Sequence, residues 1–363
     1  MRKITGHLTP EILDHYKQHK NIAKADAFPV KTYRELTEII AKLSYLNKDH
    51  LLFFRGQKAD YKNSNDLSTF YPTIYREDYL LKTKLDLKFE KLEVASKLLV
   101  DKLIAEEIQG NIDIKKRKLI QWSILQHYEV IETPLIDVTQ SLRVACSFSF
   151  LNNTEENAFI YVFGLPYYNN RISHNSEHDL VNIRLLSISP PDALRPYFQE
   201  GFLVGTDDIT TEYENKGELD LNNRLIAKIE IPNNPHFWGD NFSAIPESAL
   251  YPEDDRMLDI CSYVKEKLSG SIEGTSMSDF IKLWSSIEKA ILEDAQQHNP
   301  QIFTFLQALR YLQDQHPDRR TLLKSIDTLR PFRNKLVHDP LKVTDTELIK
   351  QTQKLRTIIE NYN

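Results

Sequence analysis

Cysteine is scarce: Cys146 and Cys261 are the two in 363 residues, too few for a disulfide framework or a cysteine-based zinc cluster. Both are expected as small core residues. Long apolar runs are missing as well. No stretch approaches the roughly 18 apolar residues of a membrane helix, and the opening MRKITGHLTPEILDHYKQHK lacks the apolar core of a signal peptide. A cytoplasmic chain with no membrane partner is therefore expected. Glycine is sparse, with 10 residues, and neither GxxxxGK[ST] nor GxGxxG occurs, which argues against the common nucleotide-hydrolysing engines. Positive charge is in deficit: the net charge of −6 opposes bulk attraction to nucleic acid. The deficit is uneven. From Ser271 onward there are 13 Lys/Arg and 12 Asp/Glu, about +1, which leaves about −7 for the rest.

What is present is a globular composition, 41% hydrophobic and 27% charged, long enough for two ordinary domains. Residues 1–31 read as a short helical extension. Leu36, Ile39, Ile40 and Leu43 give residues 32–46 one apolar helical face. LLFF at 51–54 reads as a buried strand running into Arg55-Gly56. Residues 57–78 read as loop with one helical turn. A long helix is expected from Tyr79 to about Ile108, with Leu85, Phe89, Leu92, Ala95 and Leu99 on its apolar face, and another at 115–128. Strands are expected at 133–139, 158–166, 185–189, 201–204 and 225–232, with a small-residue helix at 141–151. SGSIEGTS at 269–276 reads as a linker between an α+β domain with a mixed sheet (32–268) and an all-α domain (277–363). In the latter, helices are expected at 277–298, 300–315, 319–329, 330–338 and 344–361. Thr344 and Glu347 have capping-box spacing at the start of the last one.

FFRGQ at 53–57, LQHYEVIETPLIDVTQSLRVACSFSF at 125–150, LRPYFQEGFLV at 194–204 and LYP at 250–252 resemble, in order, four blocks of the FRG family. The resemblance covers about residues 32–268. It departs at Val138, where the family usually has an aromatic, and at 205–223, which reads as an insertion. Through that family the layout is similar to an ADP-ribosyltransferase fold. The resemblance then implies that Arg55 holds a phosphate or ribose of NAD or a related nucleotide, a role suited to its bidentate, always-charged fork. Gly56 would allow close approach of a ligand, with His127, Asp137 and Thr139 nearby and Gln199 or Glu200 at the position that polarises a ribose hydroxyl. Plain structural roles stand beside these. Arg55 could pair with Asp137, His127 could be a structural hydrogen-bonder, and Thr139 could cap the following helix.

LRPFRNKLVHDP at 329–340 carries Arg333, Asn334 and His338 in an Arg-Asn-x-x-x-His pattern that resembles the signature of HEPN-domain ribonucleases. The resemblance implies a homodimer whose paired motifs cut RNA with no metal or cofactor. A histidine would take the 2′-hydroxyl proton and an arginine would stabilise the crowded phosphate. The alternative is a helix-end cluster with Arg333 bridged to an acid; Trp284, Ile287, Phe303, Phe305 and Leu309 are expected in packing. Three functions are open: a toxin-like or antiviral effector cutting RNA, with the first domain as sensor and a triggering or neutralising partner; an NAD-consuming or ADP-ribosylating first domain with a dimerising helical domain; and a non-enzymatic sensor.

Overall fold

A computed structural model describes residues 1–17, 21–77, 81–209, 213, 215–270 and 275–362. Residues 271–274 of the expected linker, 79–80 at the expected start of the long helix and 210–212 and 214 of the expected insertion lie outside the described residues.

The strands are β1 (Phe28–Pro29), β2 (Leu51–Gln57), β3 (Ile136–Thr139), β4 (Asn157–Leu165), β5 (Ile172–Asn175), β6 (Leu180–Arg184), β7 (Gly201–Gly205) and β8 (Leu225–Pro232). The helices are α1 (Pro10–His15), α2 (Tyr33–Leu46), α3 (Lys82–Ala105), α4 (Asn111–Lys116), α5 (Lys118–His127), α6 (Leu142–Phe150), α7 (Leu185–Ile188), α8 (Arg195–Phe198), α9 (Glu247–Leu250), α10 (Arg256–Ser269), α11 (Met277–His298), α12 (Phe305–Gln315), α13 (Arg320–Asp327), α14 (Arg330–His338) and α15 (Asp345–Tyr362). Contacts divide the chain into two units: residues 1–77, 122–127 and 132–257, and residues 78–121, 128–131 and 258–363.

The first unit is built on a mixed eight-stranded sheet in the order β1-β8-β4-β2-β3-β7-β6-β5. β1 runs parallel to β8, and the other neighbours are antiparallel. Alternation along a strand sends successive side chains to opposite faces. Leu52 and Phe54 join Ile160, Val162, Ala227 and Ile229 beneath Leu36 and Leu43 of α2 and Cys146 of α6. Phe53 joins Tyr161, Phe163, Val138 and Phe202 in a second core on the other face. Both faces are covered, so LLFF is a continuous apolar run rather than an alternating one. Each Leu, Ile, Val or Phe side chain so buried stabilises the fold by roughly 1.5–3 kcal/mol. Thr32 caps α2 by accepting from the Glu35 N–H.

Several elements depart from the sequence reading, including β1, which lies within the expected helical extension 1–31 and pairs with β8. The strand expected at 185–189 is the short helix α7. The apolar run leaves the sheet at Arg184, where β6 ends. β5 was missed because ISHN is polar and lies at the sheet edge, where no second neighbour demands apolar residues, and β6 because the buried Asn182 interrupts its short apolar run. The helix expected at 115–128 is broken at Arg117, whose backbone is extended; Gln121 Nε2 donates to the freed carbonyls of Ile114 and Lys115.

The second unit is helical. The helices at 82–121, read from sequence as part of the first domain, group with the carboxy-terminal ones. Leu92, Val94, Ala95, Leu98, Leu99 and Leu103 of α3 are all buried, which is more than one helical face can hold. α11 and α14 both pack on α3. Ser276 with Asp279, and Thr304 with Gln307, form capping boxes on α11 and α12. On α15 only half of the expected box forms. Thr344 Oγ1 accepts from the Glu347 N–H, while the Glu347 carboxylate turns to Lys335 Nζ at 2.6 Å. Among the described residues no helix is long and apolar enough to cross a membrane.

Candidate functional site

β2 pairs with β4 from Leu51 to Gln57, and β3 pairs with β7 from Ile136 to Thr139. The seam between β2 and β3 is far thinner, with the single register pair Phe54↔Thr139. A seam held so lightly leaves carbonyls without ladder partners. Arg55 meets that need: its Nη1 donates to the main-chain oxygen of Asp137 at 2.6 Å. Arg55 Nε is buried with no hydrogen-bond partner among the described residues. Burial lowers the guanidinium from its ordinary range, and the Asp137 charge opposes that shift. So the two residues do meet, through a carbonyl and a field rather than a carboxylate–guanidinium fork.

The Asp137 side chain organises the other bank of the seam. Its Oδ2 accepts from Gln126 Nε2 at 2.8 Å, and its Oδ1 lies 3.3 Å from His127 Nδ1. Gln126 Oε1 accepts from Thr133 Oγ1 at 2.6 Å, and the Thr133 N–H donates to Thr73 Oγ1 at 2.9 Å. Arg195 Nη1 donates to the His127 carbonyl at 3.1 Å. The carboxylate thus assigns the proton to His127 Nδ1 and fixes the ring. Burial alone would raise the Asp137 carboxyl. The bond and charge of His127, the Gln126 donor and Arg55 outweigh it and hold the carboxyl below its usual range. With its side chain 39% exposed, Asp137 is an ionised group that water can reach.

The remaining expected residues serve local structure. Thr139 Oγ1 donates to the Glu200 carbonyl at 3.0 Å and accepts from the Ser141 N–H at 3.1 Å, which shapes the turn into α6. Glu200 has φ +45°, uncommon for a side chain larger than glycine. Its backbone is held by Thr139 and its residue is exposed. Gln199 is buried, with Nε2 donating to the Leu250 carbonyl at 2.9 Å. At Gly56 a Cβ would run into the Ala145 carbonyl of α6, so this glycine answers to helix packing.

A polar cluster that the sequence reading missed lies along the same sheet. Register places Arg55, Tyr161 and Lys228 in one row across β2, β4 and β8. Lys228 is fully buried, with Nζ 2.7 Å from Asp60 Oδ2 and 2.9 Å from Ser68 Oγ. Tyr161 donates to Asp60 Oδ1 at 2.9 Å. Burial and the neighbouring Asp60 push the Tyr161 hydroxyl far up, so it stays protonated. A lysine amid the apolar residues of LIAKIEIP was the available signal, since a strand with both faces covered has nowhere to solvate it.

In the helical unit, Arg333 lies between two carboxylates. Its Nη2 is 2.6 Å from Glu90 Oε1. Burial raises both Glu90 and Glu288 above the ordinary carboxylate range, and Arg333 opposes the rise in each. Asn334 and His338 are exposed. Five helical positions separate Arg333 from His338, about 140° round the axis, and within one protomer the structure does not bring them together. Trp284, Ile287 and Leu309 are buried in the helical core, whereas Phe303 is 75% exposed. The Phe305 ring packs 5.7 Å from that of Trp284.

Arg333→Ala is expected to destabilise the helical unit by about 2–3 kcal/mol, because it leaves two half-buried carboxylates without their shared cation. A carboxyl raised by folding weakens the fold above its unfolded value and costs less as pH falls. The deficit should therefore be larger at pH 8 than at pH 5. Urea unfolding followed by circular dichroism at both values checks this. A pH-independent deficit would show that Arg333 does not serve these acids.

No curated protein and no solved structure matches this chain. The sequence model of the FRG domain family matches residues 50–158, so the segment that carries Arg55, Gly56, Gln126, His127, Asp137 and Thr139 is similar to an FRG domain, while Gln199 and Glu200 lie beyond the matched residues.

Proposed function

We propose that the amino-terminal unit carries the active centre, that it binds a phosphate-bearing nucleotide of the NAD class at the β2–β3 seam, and that it cleaves or transfers at the ribose. The ADP-ribosyltransferase-like reading belongs to this proposal. One observation carries it. A half-buried arginine gives one nitrogen to the main-chain carbonyl of Asp137 and keeps Nε without a partner among the described residues, while the Asp137 carboxylate is partly exposed and held ionised. A fixed cation with an unused donor suits a phosphate. An ionised carboxylate suits the positive charge that develops on a ribose carbon as its bond to nicotinamide breaks. Gln126 and His127 position that carboxylate. The helical unit then serves to pair copies of the chain.

The test incubates the full-length protein with NAD, measuring NAD loss, nicotinamide release and label transfer to protein, with ADP binding followed by calorimetry. NAD consumption that disappears in Arg55→Lys is expected. Binding without turnover would leave the sensor reading. Neither binding nor turnover would end the proposal.

A second reading, an effector that cuts RNA through a HEPN-like pair, is favoured by the exposure of Asn334 and His338 one helical turn apart. It requires Arg333 to leave Glu90. RNA loss that His338→Ala removes while NAD stays constant would install this reading in place of the first.

A further inference from the structure

Arg55 and Gln57 stand two positions apart on β2, so their side chains share a sheet face roughly 6.6 Å apart along the strand. Among the described residues each keeps one buried polar atom with no hydrogen-bond partner: the donor Nε of Arg55 and the acceptor Oε1 of Gln57. Neither residue is closed into the core; both are half-buried. On the neighbouring strand Tyr161 faces Arg55 and Phe159 faces Gln57, which gives the pair an aromatic flank. The Tyr161 hydroxyl is already committed to Asp60, and Lys228 to Asp60 and Ser68. What the row leaves over is thus one cationic donor and one neutral acceptor, side by side. An unmade bond at a buried polar atom is a standing cost that a matching ligand group removes. Two such atoms of opposite kind on adjacent same-face positions form a complementary pair for a ligand that carries both an oxyanion and a hydroxyl.

We propose that Gln57 is a specificity-determining residue of the seam: Arg55 takes the ligand phosphate along its Nε edge, and Gln57 Oε1 accepts from a ribose hydroxyl of the same nucleotide. This rests on the nucleotide reading given above and deepens it. A site that leaves a buried acceptor unpaired discriminates against an analogue lacking the matching donor. Inorganic pyrophosphate should engage Arg55 and be indifferent to Gln57.

The experiment titrates the full-length chain with pyrophosphate, ADP and 2′,3′-dideoxy-ADP by calorimetry, as wild type and as Gln57→Leu. The wild type should bind ADP about 10-fold more tightly than the dideoxy analogue, equivalent to about 1.4 kcal/mol. Gln57→Leu should erase that preference and hold pyrophosphate affinity within about twofold. The wild-type comparison changes only the ligand, so it decides the matter even if the variant folds poorly. Binding of pyrophosphate and ADP without discrimination in the wild type, or a preference that survives in Gln57→Leu, overturns the role of Gln57 and leaves the nucleotide reading standing. Failure of the wild type to bind either pyrophosphate or ADP removes both.

Discussion

Asp137→Asn should lower NAD turnover at least about 100-fold and leave ADP affinity little changed, while costing only about 1 kcal/mol of stability. The asymmetry follows from counting oxygens. Asp137 presents one oxygen to Gln126 Nε2 and the other to His127 Nδ1. Asparagine has one oxygen and one NH2, so one of those two donors faces a donor instead of an acceptor. The β2–β3 seam survives because Arg55 reaches the main-chain oxygen, which the substitution leaves in place. The negative charge does not survive, and the charge is what a developing cation on ribose needs. Asp137→Ala strands both donors and should cost more, about 2–3 kcal/mol, moderated by the solvent that reaches this side chain.

The pH dependence has a definite sign. Folding lowers the Asp137 carboxyl, so its contribution to stability is complete above the unfolded value near pH 4 and is lost as pH falls through the lower folded value. The gap between wild type and Asp137→Ala should narrow as pH falls through the carboxylate range. Retention of wild-type NAD turnover by Asp137→Asn would place the active centre elsewhere.

The sequence made Arg55, His127 and Asp137 legible as a group because each lies beside an apolar strand or at a helix end, where a polar residue stands out. It made the mixed sheet legible through LLFF, AFIYVFGLP and LIAKIEIP, whose composition fits strands covered on both faces. Three things were out of reach. The sharing of α3 with the carboxy-terminal helices depends on contacts across more than 150 residues, and the apolar positions of α3 give its orientation without naming a partner. Gln126 reads as an ordinary helix residue; its importance comes from Thr73 and Thr133, which converge on it only once the chain has folded. Glu90 gave no hint that it would neutralise Arg333, because one more glutamate among the charges of a long helix carries no positional signal. The motif around Arg333 was visible, but the electrostatic surroundings that decide its use were not.

Lys228→Met is expected to destabilise the amino-terminal unit by about 3–5 kcal/mol, the largest single effect anticipated in this molecule. Lys228 has no exposed surface, and its ammonium neutralises an Asp60 side chain that is only 13% exposed. Asp60 also accepts from Ser68 Oγ at 2.5 Å and from Tyr161 at 2.9 Å. These neutral donors cannot replace a cation once it is gone. Asp60→Asn should be similarly costly, since it leaves the ammonium buried with neutral partners alone. The double variant Asp60→Asn/Lys228→Met removes both charges together, and the two losses should not add. A double-mutant cycle read by urea unfolding should return at least about 2 kcal/mol of coupling. The cycle also bears on function, because Tyr161 stands in register between Lys228 and Arg55. If the cluster steadies β2 and β4 beside the β2–β3 seam, the double variant should fold with near-normal stability yet bind ADP several-fold more weakly. Simple additivity of the two single losses would mean that Asp60 and Lys228 are solvated independently, and the cluster would then have no part in shaping the site.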